Sequence, residues 1–152
     1  MKRIIGVVAS AALLCGFGIS AAPTASAASY GCSGSVIDTY PVYADDTGVH
    51  VSDVILYYSP ANNGTNCVVN VATSEGGYGT RHWMAVGISV CGYSPGTCPN
   101  ENHHEGEEGA FQYYAGPKSI YSTNGECLKI RGVNVSPNNG TGIREEAGVH
   151  CG

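Results

Sequence analysis

The chain has 152 residues and a formal net charge of −5, a length that predicts one domain. Charged residues are 12% of it and hydrophobic ones 43%, which excludes the highly charged, weakly apolar profile of a disordered chain. With 22 Gly and ten Tyr against two Phe and one Trp, strands and turns are favoured over a helix bundle.

Met1-Lys2-Arg3 is a short basic start, Ile4 to Ala22 is almost all apolar or small, and Pro23 interrupts it. Ala25-Ser26-Ala27 then puts small residues at the two positions a signal peptidase reads. The pattern predicts a secretory signal peptide over 1–27 and an exported domain over 28–152. No membrane span is expected in that domain, because the longest apolar stretch leaves with the signal. Lys2 and Arg3 leave too while all twelve acids stay, so the exported charge is about −7 and repels phosphate backbones and anionic membranes. Nucleic acid is not an expected partner.

Cys15 lies within the signal. Cys32, Cys67, Cys91, Cys98, Cys127 and Cys151 remain, and an even number in an exported chain predicts three disulfides. Six cysteines allow fifteen pairings, among which the spacing alone does not choose. Neighbour pairing is the expectation: Cys32–Cys67, Cys91–Cys98 and Cys127–Cys151, the turn-rich Gly92 to Thr97 being a loop that a bridge would close. No Cys-x-x-Cys pair points to zinc–thiolate ligation. Full bridging leaves no thiol as a nucleophile.

Apolar residues recur with period two. Strands are expected at about 34–43, 49–58, 67–74, 82–91, 110–116, 118–123 and 127–135, with a further short one at 144–150. Cys67 to Ser74 reads as half-buried, and Val49 to Tyr58, apolar on both faces towards its end, as more central. Gly92 to Gly109 reads as a long loop. Asn124-Gly125 suits a two-residue hairpin turn, after which Leu128 and Ile130 point inward and Lys129 and Arg131 outward. About seven short strands without a long 3.6-residue period or a fixed internal repeat predict an all-β, single-domain antiparallel sandwich or barrel, stapled by disulfides.

Several side chains could carry chemistry. His103, His104 and Glu105, in the polar run Glu101 to Glu108, have metal-ligand chemistry, though without the spacing of a His-Glu-x-x-His helix; a solvated acidic loop is the simpler expectation, and no cofactor is expected. The adjacent acids Asp45-Asp46, Glu107-Glu108 and Glu145-Glu146 point to opposite faces of an extended chain, so they are not the facing carboxylates of a glycosidase; Asp38 with Asp53 is a possible cross-strand pair. There is no Gly-x-Ser-x-Gly elbow, Gly76-Gly77-Tyr78-Gly79 lacks a phosphate loop's following residues, and His50, His82 and His150 stand alone. Trp83 falls on the less apolar face of its strand, on the same side as Arg81, where an exposed ring could stack on a sugar or anchor a partner; that both faces are partly covered and Trp83 simply packs is the simpler expectation. In Tyr57-Tyr58 and Tyr113-Tyr114, one ring of each pair is expected to be buried.

Tyr30-Gly31-Cys32-Ser33-Gly34, Leu56-Tyr57-Tyr58-Ser59, Gly64-Thr65-Asn66-Cys67, Met84-Ala85-Val86-Gly87, Tyr114-Ala115-Gly116-Pro117 and His150-Cys151-Gly152, taken in that order with their cysteines, resemble the small secreted spore-associated proteins of filamentous actinobacteria. The segments span nearly the whole exported domain; Glu101 to Glu108 departs from the pattern. The resemblance implies export, association with the spore surface or cell envelope, a link to sporulation, and no catalytic residues. The expectation is a non-enzymatic extracellular protein whose partner is a spore-surface or envelope component. A carbohydrate- or peptidoglycan-binding module is the alternative, ahead of a small hydrolase or a protease inhibitor presenting the Cys91–Cys98 loop.

Overall fold

The computed structural model describes residues 29–152; the expected signal peptide lies outside them. After a short turn at Ser29–Gly31 come eight strands: β1 Ser35–Tyr43, β2 His50–Ser59, β3 Thr65–Ala72, β4 His82–Val90, β5 Asn102–Phe111, β6 Tyr114–Tyr121, β7 Leu128–Ser136 and β8 Gly140–Val149. They form two antiparallel four-stranded sheets, ordered β1-β2-β3-β6 and β5-β4-β7-β8. The fold is an all-β sandwich of eight strands rather than about seven.

Alternation places the core. Val54 and Leu56 of β2, Val68 of β3 and Ile120 of β6 meet Met84, Val86 and Ile88 of β4 and Leu128 and Ile130 of β7. Lys129 and Arg131 face the other way, as the pattern predicts. Two buried amides tie the layers together. Asn70 Nδ2 donates to the carbonyls of Ala85 and Val133 at 3.0 and 2.9 Å, and Asn134 Nδ2 to that of Val51 at 3.0 Å. The sheets approach closely at Gly132, where an added Cβ would lie 2.1 Å from Val54 Cγ2.

The three bridges are Cys32–Cys67, Cys91–Cys98 and Cys127–Cys151, the neighbour pairing. The first clamps the N-terminal segment across the outer face of the first sheet. There Tyr30 and Cys32 pack with Tyr57, Cys67, Val69 and Val71. This corrects the half-buried reading of β3: every residue of that strand is buried, one face by the core and the other by its own N-terminal segment.

Three further expectations are corrected. The span Gly92 to Gly109 is not one long loop, because Asn102 onward forms β5, paired along β4 from Val90 to His82. Four charged or imidazole side chains in five residues hid it; an edge strand needs only one neighbour and tolerates polar residues on both faces. Nor is Asn124-Gly125 a hairpin turn: β6 and β7 lie in different sheets, so the chain crosses between layers there. Gly125 does adopt the positive φ, 81°, that favours glycine. Its N–H bonds to Gly152 O, and Asn124 N–H to Asn63 O, rather than across a ladder. Of the separate strands expected at 110–116 and 118–123, Ala110 and Phe111 end β5, and Tyr114 to Tyr121 form one strand, β6, running through Pro117.

All four edge strands carry charge on the inward side. Glu105 and Glu107 of β5 share the faces of Ile88 and Val86; Arg144 and Glu146 of β8 pair with each other beside Ile130; Asp38 of β1 lies opposite Leu56 and Lys118 of β6 opposite Val68. Edges β1 and β6 also hold Pro41 and Pro117.

Candidate functional site: the open face of the second sheet

The outer face of the second sheet is built in four rows, read from the register across β5, β4, β7 and β8. They are Ala110–Trp83 with Val135–Thr141 just past the start of the β4–β7 pairing, then Glu108–Ala85–Val133–Ile143, Gly106–Gly87–Arg131–Glu145 and His104–Ser89–Lys129–Ala147. The first two rows are largely apolar, with Trp83, Val135 and Ile143 exposed by 39%, 37% and 48%. The last two are polar. Alternation puts these residues outward because their neighbours Met84, Val86 and Ile88 face the core.

Small residues at Ala85, Gly87 and Gly106 floor a shallow depression of about 470 Å³, bordered by His104, Glu108 and Arg131. The His104 ring lies over that floor: a Cβ added at Gly106 would be 2.9 Å from its Nε2, and one at Gly87 3.2 Å from its Cε1. Ser89 holds the ring by its other nitrogen. The Ser89 hydroxyl donates to Glu101 Oε1 at 2.5 Å and lies 2.9 Å from His104 Nδ1. A hydroxyl has one proton, so with that proton on Glu101 the imidazole donates through Nδ1–H. Glu101 continues to Lys129 Nζ at 3.2 Å, Lys129 to Glu145 at 3.4 Å, and Glu145 to Arg131 at 3.8 Å. The Ser89 hydrogen bond, with the Lys129 contact against some desolvation, holds the Glu101 carboxyl below its ordinary range. The bond to Glu101 raises Lys129 above its own. Serine sits in the middle of this chain, buried and with its proton committed to a carboxylate. It orients His104 rather than being activated by it.

Trp83 stands exposed on this face, which corrects the expectation that it packs, and Arg81 is exposed just before β4. His103, His104 and Glu105 are not brought together. His103 is the extra residue of a bulge, at φ 41°, His104 turns outward and Glu105 inward. Among the described residues no group of three or more His, Cys, Asp or Glu is placed to hold a metal ion. Asp38 and Asp53 lie on opposite faces of the first sheet, Asp38 opposite Leu56 and Asp53 opposite Val71. Tyr57 is buried under the N-terminal segment and Tyr114 half-buried, with Tyr58 half-buried and Tyr113 exposed.

No family model, curated protein or solved structure matches this chain.

A second polar group lies at the β1–β8 seam and was not foreseen. Tyr40 Oη is 2.9 Å and Asp38 Oδ2 3.2 Å from His150 Nε2. Desolvation, together with Asp38, pushes the Tyr40 phenol well above its ordinary range. Desolvation works against the Asp38 carboxylate, but hydrogen bonds from the Thr39 amide, Tyr40 and His150 favour the ionised form and hold its pKa below the ordinary value. The phenol thus stays protonated as a donor, and the group closes the seam. His150 and Asp38 are 112 residues apart, so no local motif signals the contact. The loop closed by Cys91–Cys98 is likewise folded in: Gly96 N bonds to Gly148 O and Thr97 N to Ser94 O, making a turn packed on the end of β8.

Proposed function

We propose that this chain is a non-enzymatic extracellular protein that associates with the spore surface or cell envelope, and that it binds there through the outer face of its second sheet. Three disulfides suit an oxidising, extracellular setting. Among the described residues no helix is long and apolar enough to cross a membrane. The spore and envelope are named by the sequence resemblance.

The observation that carries the reading is the asymmetry of the two outer faces. The first sheet's is covered at its centre, over Tyr57, Cys67, Val69 and Val71, by the chain's own N-terminal segment, with Val36 and Tyr121 left exposed on its edge strands. The second sheet's is open, with an exposed tryptophan in an apolar half next to a half of fixed hydrogen-bonding groups. A flat sugar ring offers the matching pattern, an apolar face and polar rim, so a glycan of the envelope is the ligand this face favours.

The test is co-sedimentation of the exported, disulfide-intact protein with purified peptidoglycan, chitin and intact spores. Retention on at least one of them, lost in Trp83→Ala and kept in Tyr43→Ala on the first sheet's edge strand, is the expected outcome. Equal retention of both variants would remove the face from the account. No retention on any of the three would remove the association itself.

A further inference from the structure

Tyr78 and Tyr113 stand side by side on two different loops. Tyr78 lies in the turn between β3 and β4, Tyr113 between β5 and β6. Their ring centroids are 5.0 Å apart, yet both rings are exposed, by 52% and 43%. The backbone beside them is locked by a reciprocal pair of hydrogen bonds, Gly79 N to Gln112 O at 2.8 Å and Gln112 Nε2 to Gly79 O at 2.9 Å. The other close tyrosine pair, Tyr30 with Tyr114 at 5.2 Å, is half-buried in the packing over the first sheet.

Susceptibility to oxidation follows chemical type and exposure. The six described cysteines are all bridged, and Met84 is fully buried. The usual first targets, thiolate and exposed thioether, are thus withdrawn among the described residues. Phenols are the commonest exposed oxidisable groups left, with Trp83 beside them.

We propose that Tyr78 and Tyr113 form an oxidative cross-linking site, at which a one-electron oxidant such as a haem peroxidase with hydrogen peroxide joins the two rings. Each phenol gives up one proton and one electron, leaving a phenoxyl radical with spin at its ortho carbons. A carbon–carbon bond forms between an ortho carbon of each ring, and the two displaced ring hydrogens return to the oxygens by tautomerisation. The protein loses two hydrogens in all, and one peroxide is reduced to two waters. The product is a covalent tie between the β3–β4 and β5–β6 loops. The same chemistry at Tyr93, the most exposed tyrosine at 70%, links one molecule to another. This site does not depend on the glycan face.

The experiment treats dilute, folded protein with a haem peroxidase and limiting peroxide, then separates monomer from higher species. The monomer should show dityrosine fluorescence and a mass lower by two hydrogens, and a proteolytic map should join the peptides holding Tyr78 and Tyr113. Tyr78→Phe and Tyr113→Phe should each abolish the monomer signal, while Tyr43→Phe keeps it. Circular dichroism shows that each variant is folded. Dityrosine found only in dimers, a signal surviving both loop variants, or oxidation confined to Trp83 would each overturn the proposal.

Discussion

Removing the bridges one at a time should rank them by the length of chain each one closes. A disulfide restrains the unfolded chain by an amount that grows with the logarithm of the loop. The separations are 35 residues for Cys32–Cys67, 24 for Cys127–Cys151 and 7 for Cys91–Cys98. Loop-closure entropy then gives about 3.8, 3.5 and 2.4 kcal/mol at 25 °C. Packing widens the gap between the first and the other two: Cys32 and Cys67 are both fully buried, whereas Cys98 and Cys151 are partly exposed, so alanine at the first pair also removes two core atoms. The pairs Cys32→Ala with Cys67→Ala, Cys127→Ala with Cys151→Ala, and Cys91→Ala with Cys98→Ala are compared by urea unfolding, with the stability difference taken from midpoint and slope. The first pair should be the most destabilised, by about 4 kcal/mol or more, and should expose Tyr57 to solvent quencher as the N-terminal segment lifts. If the Cys91–Cys98 variant lost as much as the Cys32–Cys67 variant, the loop-entropy argument and the clamping role would both be refuted.

Three further outcomes follow from other parts of the molecule. Gly132→Ala forces a methyl into Val54 between the sheets and should cost about 1–3 kcal/mol or more, read as a lowered unfolding midpoint; Gly79→Ala, where an added Cβ meets nothing within 4 Å, should cost less despite its positive φ. Glu101→Gln should lower stability modestly at neutral pH, by under about 1 kcal/mol given the exposure of the pair. Because the folded carboxyl is more acidic than the ordinary 4.5, its contribution is full above that value and fades as pH falls through the lower folded one, so melting curves of wild type and variant should converge in acid. Lys129, raised above 10.5 by the same contact, loses its share only as the solution becomes strongly alkaline. Trp83→Ala should weaken binding to the retaining glycan about thirtyfold, near 2 kcal/mol, measured by depletion isotherms; an unchanged isotherm would put the ligand elsewhere.

The elements legible in the sequence were those whose two faces differ. Leu128 to Arg131 alternates cleanly, and its strand sits as the pattern requires. Strand β5 was illegible because it alternates glutamate with glycine and histidine, a pattern that makes sense only once β4 is known to lie beside it. The Asn124-Gly125 turn has the right local chemistry, but a turn does not reveal whether its flanking strands share a sheet. At the site, parity put Trp83 on the less apolar face but did not reveal that nothing covers that face. The Glu101–Ser89–His104 contacts needed the β4–β5 register, which the bulge at His103 shifts by one residue. Asp38 meeting His150 needed the whole topology. Tertiary context decided what period and spacing left open.

Inward-facing charges and prolines on the four boundary strands have a consequence for crowding. A neighbouring molecule that tried to extend either sheet would have to bury Glu105 and Glu107, or Arg144 and Glu146, or meet a residue without an N–H, and each of those penalises fibre growth. Molecules of this shape can be laid down at high density without propagating into amyloid, and a layer of them would remain a population of separate particles unless something other than strand pairing joined them.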